Sequence, residues 1–187
     1  MLPTTMDDRE KTVGELFEKY KNLVYKTAYL MYGSKEEAEE ALQEVFLQVY
    51  RSLPGYDPEK GAMTTWLHRI TINYCLRHRQ KTEVSLDLLD DTNINIREES
   101  TEAVAQAAFD RQTLRDAIQN LSGKLKAVII LRYYWELSYN EISEILSIPL
   151  GTVKSRIDQA LKSLAATFHS SSSASAKDAS PVWERVI

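Results

Sequence analysis

Cysteine is nearly missing from this chain of 187 residues, where Cys75 stands alone. An intramolecular disulfide is excluded, and the composition suits a reducing compartment. Histidine is scarce as well: His68, His78 and His169 are all there are. Cys75 and His78, spaced i, i+3, could both reach one metal ion, but two ligands with no second pair nearby do not make a zinc site, so no metal is expected. The six glycines are dispersed and form no phosphate-cradling loop, so no cofactor is expected either. Glu36, Glu37, Glu39 and Glu40 read as a solvated helix start, favoured there by the helix dipole, rather than as an acid/base pair. With no cluster of catalytic groups anywhere, no catalytic residue is assigned and an enzyme is not expected. No run approaches the roughly 18 to 20 apolar residues of a membrane span, and Met1 to Lys11 is polar and acidic rather than a signal sequence. A cytoplasmic protein with no direct membrane insertion follows as the expectation.

An excess of positive charge is also lacking. The net charge of −4 argues against a nonspecific nucleic-acid coat protein. Its distribution is uneven, however: residues 82–110 set eight carboxylates against Arg97 alone. By contrast, Trp66 to Lys81 holds Arg69, Arg77, Arg79 and Lys81 with no carboxylate. A locally basic helix on a neutral domain is the electrostatic footprint of a DNA contact.

What the chain has is helical periodicity. Leu16, Phe17, Tyr20, Leu23, Val24, Thr27, Ala28 and Met31 share one face of a helix over Val13 to Met31, stopped by Gly33. Ser34 and Glu37 form a capping box for a second helix, about Lys35 to Ser52, that buries Ala38, Leu42, Val45, Phe46 and Val49. Pro54-Gly55-Tyr56-Asp57-Pro58 breaks it, and a third long helix runs from about Thr64 to Gln80. Three such stripes are expected to bury against one another as a small bundle. Periodicity fades in the acidic stretch, which reads as a linker. It returns over Phe109 to Asn120 and about Lys124 to Tyr134. Past Phe168 a Ser/Ala tract is too poor in apolar residues to order itself.

Leu137 to Leu164 reads as two short helices joined by a tight turn, the shape of a DNA reader. Ser138 and Glu141 make a capping box, Ile142, Ile145 and Leu146 form one stripe, and Ser147-Ile148-Pro149 ends the first helix. A second helix can start near Pro149, where a missing N–H does no harm. Val153, Ile157, Ala160, Leu161 and Leu164 bury one side of it. Thr152, Lys154, Ser155, Arg156 and Gln159 then face outward, able to donate to phosphates and base edges in a major groove. The plainer alternative is a surface helical hairpin whose Lys and Arg are only solvated.

Gly151-Thr152-Val153-Lys154-Ser155-Arg156 resembles the start of the recognition helix in region 4 of bacterial sigma factors, especially the extracytoplasmic-function (group IV) RNA polymerase sigma factors. Leu121 to Tyr133 resembles the helix before it. At the other end, Ala38 to Phe46 resembles region 2.2, and Thr65 to Ile70 with Asn73 resembles the start of the promoter-binding helix. The resemblance covers about Leu16 to Leu164. Glu40 stands where the family usually has Asp, Ala41 where it has a larger aliphatic residue, and Arg77 where it has Asp, a reversal of charge. Ser122 replaces a common Pro, and Lys126 and Gln159 replace a common Arg.

The resemblance implies an all-α protein of two small helical domains: region 2 over 1–81, an acidic flexible linker over 82–108, a helix-turn-helix region 4 over 109–168, and a disordered tail over 169–187. It implies an alternative sigma factor that binds core RNA polymerase and promoter DNA and directs transcription initiation, with an anti-sigma factor as a further partner. The second helix would meet the polymerase clamp through Gln43, Glu44, Gln48 and Arg51. Minus-ten DNA would fall to Tyr56, Arg69, Asn73, Arg77, Arg79 and Lys81. An unstacked base would sit in the loop Gly55 to Thr65, with Tyr56 or Trp66 as a stacking face, although Trp66 also shares a core face with Leu67 and Ile70. Minus-thirty-five DNA would fall to Thr152, Lys154, Ser155, Arg156 and Gln159. A stand-alone helix-turn-helix regulator that needs no polymerase, and a decoy that binds polymerase but not promoter, stay open as alternatives.

Overall fold

The computed structural model describes residues 6–83 and 112–171, with side chains over 9–78 and 112–166. The expectations for the acidic linker and for the C-terminal tail lie outside the described residues. Every described element is helical. Helices α1 (Met6–Tyr32), α2 (Lys35–Ser52) and α3 (Met63–Glu83) form the first unit, with a 3₁₀ turn at Leu53–Gly55 after α2. The second unit holds α4 (residues 112–119), α5 (Gly123–Ile129), a π-helical turn (Ile130–Tyr134), α6 (Tyr139–Leu146) and α7 (Leu150–Ser171).

The local signals act where the sequence puts them. Gly33 takes φ +84° and its N–H returns to the Tyr29 carbonyl at 2.8 Å, closing α1 with a left-handed residue that only glycine adopts without strain. Ser34 caps α2 by accepting from the Glu37 N–H at 3.3 Å, while its hydroxyl donates to the Glu36 carboxylate at 2.8 Å. That bond, after a backbone one, holds the Glu36 carboxyl below its ordinary range. α1 begins at Met6, ahead of its apolar stripe, because an acidic first turn suits a helix N-terminus without any burial. One helix was expected from Lys124 to Tyr134, but its second half opens into a π turn. There the Trp135 N–H reaches the Ile130 carbonyl at 3.1 Å, and Glu136 at φ 54° then ends the run. Apolar spacing over so short a stretch does not separate a π turn from an α turn.

The core is not divided as the three-stripe bundle implies. One cluster does lie inside the first unit: Val24, Val45, Phe46, Val49, Leu67 and Ile70, with Phe17 edge-on to Phe46 at 4.9 Å between ring centroids. Another lies inside the second, where Ala117, Leu121, Leu125 and Ile129 meet Ala160 and Leu164. The third is shared. Ala28 and Met31 of α1, Ala38 and Ala41 of α2, and Ile72 and Cys75 of α3 pack with Val128, Leu131, Ile142, Ile145, Val153 and Ile157. Part of the first unit's apolar surface is therefore buried by the second unit.

Candidate nucleic-acid interface

The helix-turn-helix is built from its ends inward. Ser138 and Glu141 complete a capping box: the Ser138 hydroxyl accepts from the Glu141 N–H at 3.3 Å, and the Glu141 carboxylate accepts from the Ser138 N–H at 2.8 Å and from its hydroxyl at 2.6 Å. These bonds hold the Glu141 carboxyl below its ordinary range, the Ser138 hydroxyl contributing most. The turn depends on Ser147 at φ 52°, in the left-handed region, and on Ser143, whose hydroxyl donates to the Ile148 carbonyl at 2.6 Å. Pro149 precedes α7 and accepts from the Thr152 and Val153 N–H groups at 2.8 and 3.1 Å.

Along α7 the two faces separate as the spacing requires. Val153, Ile157, Ala160 and Leu164 are buried, and Leu161 is half-buried beside them. Lys154, Ser155 and Gln159 are exposed, and Thr152 and Arg156 are half-buried at the edge. All five side chains expected to read DNA thus share the outer side of one helix. The Ser155 hydroxyl donates to the Thr152 carbonyl at 3.1 Å, so it is turned toward its own helix.

The loop between α2 and α3 closes around an aromatic corner. The Tyr56 hydroxyl donates to the Gly61 carbonyl at 3.0 Å, and its ring lies 5.0 Å from that of Trp66, tilted by 42°. Lys60 is held over the loop by an ion pair with Asp57 at 3.1 Å. A cavity of about 210 Å³ opens here, lined by Tyr56, Lys60, Gly61, Trp66, Arg69 and Glu144 among others. Its size suits one small planar ring rather than a drug-sized ligand. Trp66 is half-buried and serves both roles, packing on the first cluster while walling the cavity.

Of the residues expected to hold minus-ten DNA, the structure brings Tyr56 and Arg69 to this cavity. Asn73 and Arg77 do not line it. They are exposed further along α3, in the same i, i+4, i+8 stripe as Arg69, and the Arg77 guanidinium donates to the Asn73 carbonyl at 3.1 Å. The side chains of Arg79 and Lys81 lie outside the described residues. On α2, Gln43, Glu44 and Arg51 are exposed and Gln48 is half-buried. Between them stands Leu47, 47% exposed, which sequence reasoning passed over although an apolar residue off the buried stripe was the signal.

Cys75 is buried, and burial pushes its thiol up to about 12, so it offers no thiolate to a metal. His78 instead stacks on Tyr74 at 5.6 Å and lies 3.9 Å from the Glu40 carboxylate. Among the described residues no three His, Cys, Asp or Glu side chains converge as a metal site, and no helix is long and apolar enough to cross a membrane.

Sequence reasoning also missed the residues that tie the two units together. Lys126, fully buried, donates to the Met31 carbonyl at 3.1 Å, the Gln119 carbonyl at 3.0 Å and the Gln119 side-chain oxygen at 2.6 Å. Gln119 donates to the Leu30 carbonyl at 3.0 Å, and the Trp135 indole N–H to the Thr27 hydroxyl at 3.0 Å. No motif signals such bonds, because each joins residues about 90 or more positions apart.

Residues 16–83 match sigma-70 region 2 and residues 111–164 match sigma-70 region 4, which makes the chain a sigma factor by class. It is 32% identical to the ECF RNA polymerase sigma factor SigW of Bacillus subtilis over 163 residues, covering 81% of this chain and 86% of that protein. It is likewise 32% identical to the ECF RNA polymerase sigma-E factor of Haemophilus influenzae, over 81% of this chain and 84% of that one. The match to SigE of Mycolicibacterium smegmatis, 32% over 153 residues, takes in 80% of this chain and 59% of the relative. The chain belongs to the extracytoplasmic-function family of RNA polymerase sigma factors. It is an alternative sigma factor serving transcription initiation, not the stand-alone regulator that the helix-turn-helix alone left open. Sigma factors are not a family of enzymes.

In fold, the chain is similar to RpoE of Bartonella quintana, solved in complex with the anti-sigma factor NepR, with TM-score 0.63, 19% identity and coverage of 85% of this chain and 98% of that one. It is also similar to CnrH, solved with the cytosolic domain of CnrY, with TM-score 0.60, 18% identity and coverage of 86% and 90%.

Proposed function

We propose that the chain works in the cytoplasm, without chemistry of its own, by fastening core polymerase to promoters through three surfaces. Residues 1–81 act as the clamp-binding and minus-ten unit, 82–108 as the linker, 109–168 as the minus-thirty-five unit, and 169–187 as a tail that promoter recognition does not need. Gln43, Glu44, Gln48 and Arg51 meet the polymerase, with Leu47 as the apolar centre of that patch. Tyr56, Arg69, Asn73, Arg77, Arg79 and Lys81 serve minus-ten DNA. Thr152, Lys154, Ser155, Arg156 and Gln159 serve minus-thirty-five DNA. An anti-sigma factor is proposed as a further partner, since the two solved proteins of similar fold include one held by such a factor.

The observation that carries this reading is the cavity walled by Tyr56 and Trp66, opening beside the Arg69–Asn73–Arg77 stripe. Opening a duplex needs a site that offsets a few kcal/mol of unstacking, and an aromatic corner with a cation at its rim supplies stacking and charge together. Run-off transcription with core polymerase, followed by mapping of start sites, tests the whole reading.

Two variants test its parts. Arg156→Ala should weaken binding of a promoter fragment by the holoenzyme by about 1–3 kcal/mol if the guanidinium pairs bidentately with a base. An unchanged affinity at fixed salt would remove Arg156 from the interface. Asn73→Ala should leave polymerase binding intact and lower the permanganate reactivity of bubble thymines, since Asn73 lies on the α3 stripe and not on the α2 patch. Normal reactivity would show that Asn73 has no part in holding the opened strand.

A further inference from the structure

The two units of this chain bind each other, and they do so through part of the surface that DNA would use. Arg69, at the rim of the aromatic cavity, donates to the Glu144 carbonyl of α6 at 2.7 Å, and Glu144 itself forms part of the cavity wall. Around this contact lie two others. Gln119 and Lys126 cap the carbonyls of Leu30 and Met31 at the C-terminal end of α1, where a cation and amide donors are favoured by otherwise unpaired carbonyls and by the helix dipole. Trp135 donates to Thr27, and its ring meets the buried His68 of α3 edge-on at 5.0 Å. The shared apolar cluster fills the space between.

This arrangement cannot read a promoter. Elements named for positions minus ten and minus thirty-five lie about 25 base pairs apart, or roughly 85 Å along straight B-DNA at ~3.4 Å per step. Here the helix meant for one element and the helix-turn-helix meant for the other are joined by a hydrogen bond. The residues between 83 and 112, fully extended, can reach roughly 90 to 100 Å, so the chain is long enough for the separated form. The proposed polymerase patch on α2 behaves differently: Gln43, Glu44 and Leu47 are exposed while the units are closed.

The geometry points to a latch that keeps the free sigma factor closed, made by Gln119 and Lys126 on the end of α1, Trp135 on Thr27, and the Glu144 carbonyl on Arg69. The inference rests on the proposed placement of the minus-ten surface. It sets an order of events: polymerase docks on the open α2 patch first, the units part, and Arg69 is released to DNA only then. A ligand that favours the open form moves this equilibrium only by its differential affinity for the two forms, and polymerase contacts spread over both separated units supply that difference.

The test compares the free full-length chain with Gln119→Ala/Trp135→Phe, which removes latch bonds while sparing every residue proposed to touch DNA or polymerase. Thr27→Val serves as a milder second variant. Small-angle scattering should give a compact wild type and expanded variants of unchanged helix content by circular dichroism. Without polymerase, the expanded variants should bind a single-stranded minus-ten oligonucleotide about tenfold more tightly than wild type, as loss of about two hydrogen bonds from the closed form allows. With saturating core polymerase, run-off transcription should be equal for all. An extended free wild type would overturn the latch whatever the variants do. So would a folded variant, double or single, that stays compact and binds the oligonucleotide no better. Failure of wild-type run-off transcription would instead count against the functional reading, and scattering would still report on the latch.

Discussion

Replacing Leu131 with alanine should lower the free energy of unfolding by about 2–5 kcal/mol and should do so in one transition common to both halves of the chain. Leu131 is fully buried in the cluster that α1, α2 and α3 share with α5, α6 and α7. Its loss leaves a cavity lined from both sides, so neither unit can collapse into the space without moving against the other. Urea unfolding followed by circular dichroism gives the size of the effect, and hydrogen exchange in α1 and α7 shows whether it is shared. Two separate transitions, with only the later residues shifted, would mean that the common cluster does not couple the units.

Acid should weaken the same seam through His68. This side chain is 3% exposed, its Nδ1 has no hydrogen-bond partner, and burial lowers its pKa to about 4. In the unfolded chain the ring takes up a proton near pH 6.5. Between those values the unfolded state holds more protons, so stability is fully present above about pH 6.5, falls as the pH drops, and levels off near 4. The whole change amounts to ~3 kcal/mol. Urea midpoints measured across this window should show it, and His68→Phe, which keeps a ring against Trp135, should flatten the dependence. Parallel curves for wild type and variant would assign the acid sensitivity to other groups.

How much of this was legible in the residues depended on distance along the chain. Signals that act within one turn read correctly: the Ser138–Glu141 box, the left-handed stop at Gly33, and the inner face of α7 from Val153 to Leu164. Ser34 and Glu37 show the limit even there, since Ser34 caps the helix but its hydroxyl bonds Glu36. Periodicity identifies a buried face without saying what buries it. Ala28, Met31 and Ile72 were correctly placed on apolar faces or passed over as ordinary core, yet their partners are helices of the other unit. Lys126 reads as a surface cation by residue type, and only the approach of the end of α1 makes it a buried cap. For the site, the loop chemistry at Tyr56 and Trp66 and the outer face of α7 were readable. The distance of Asn73 from the cavity was not, because it depends on how the loop folds back over α3.

The π turn at Ile130–Tyr134 has a consequence for where α7 points. It holds an additional residue within a single winding of the helix, and in an α-helix each residue carries about 100° of rotation and 1.5 Å of advance. Removing one residue there would let α5 continue as a plain α-helix, at the cost of swinging Trp135 and the helix-turn-helix behind it by that angle relative to the Leu125–Ile129 segment. Lys154, Ser155 and Arg156 would be chemically untouched, yet would meet the duplex on a different heading. The bearing of the DNA-reading face is thus stored in the backbone of a neighbouring element, where a one-residue deletion can change it without altering any side chain that reads a base.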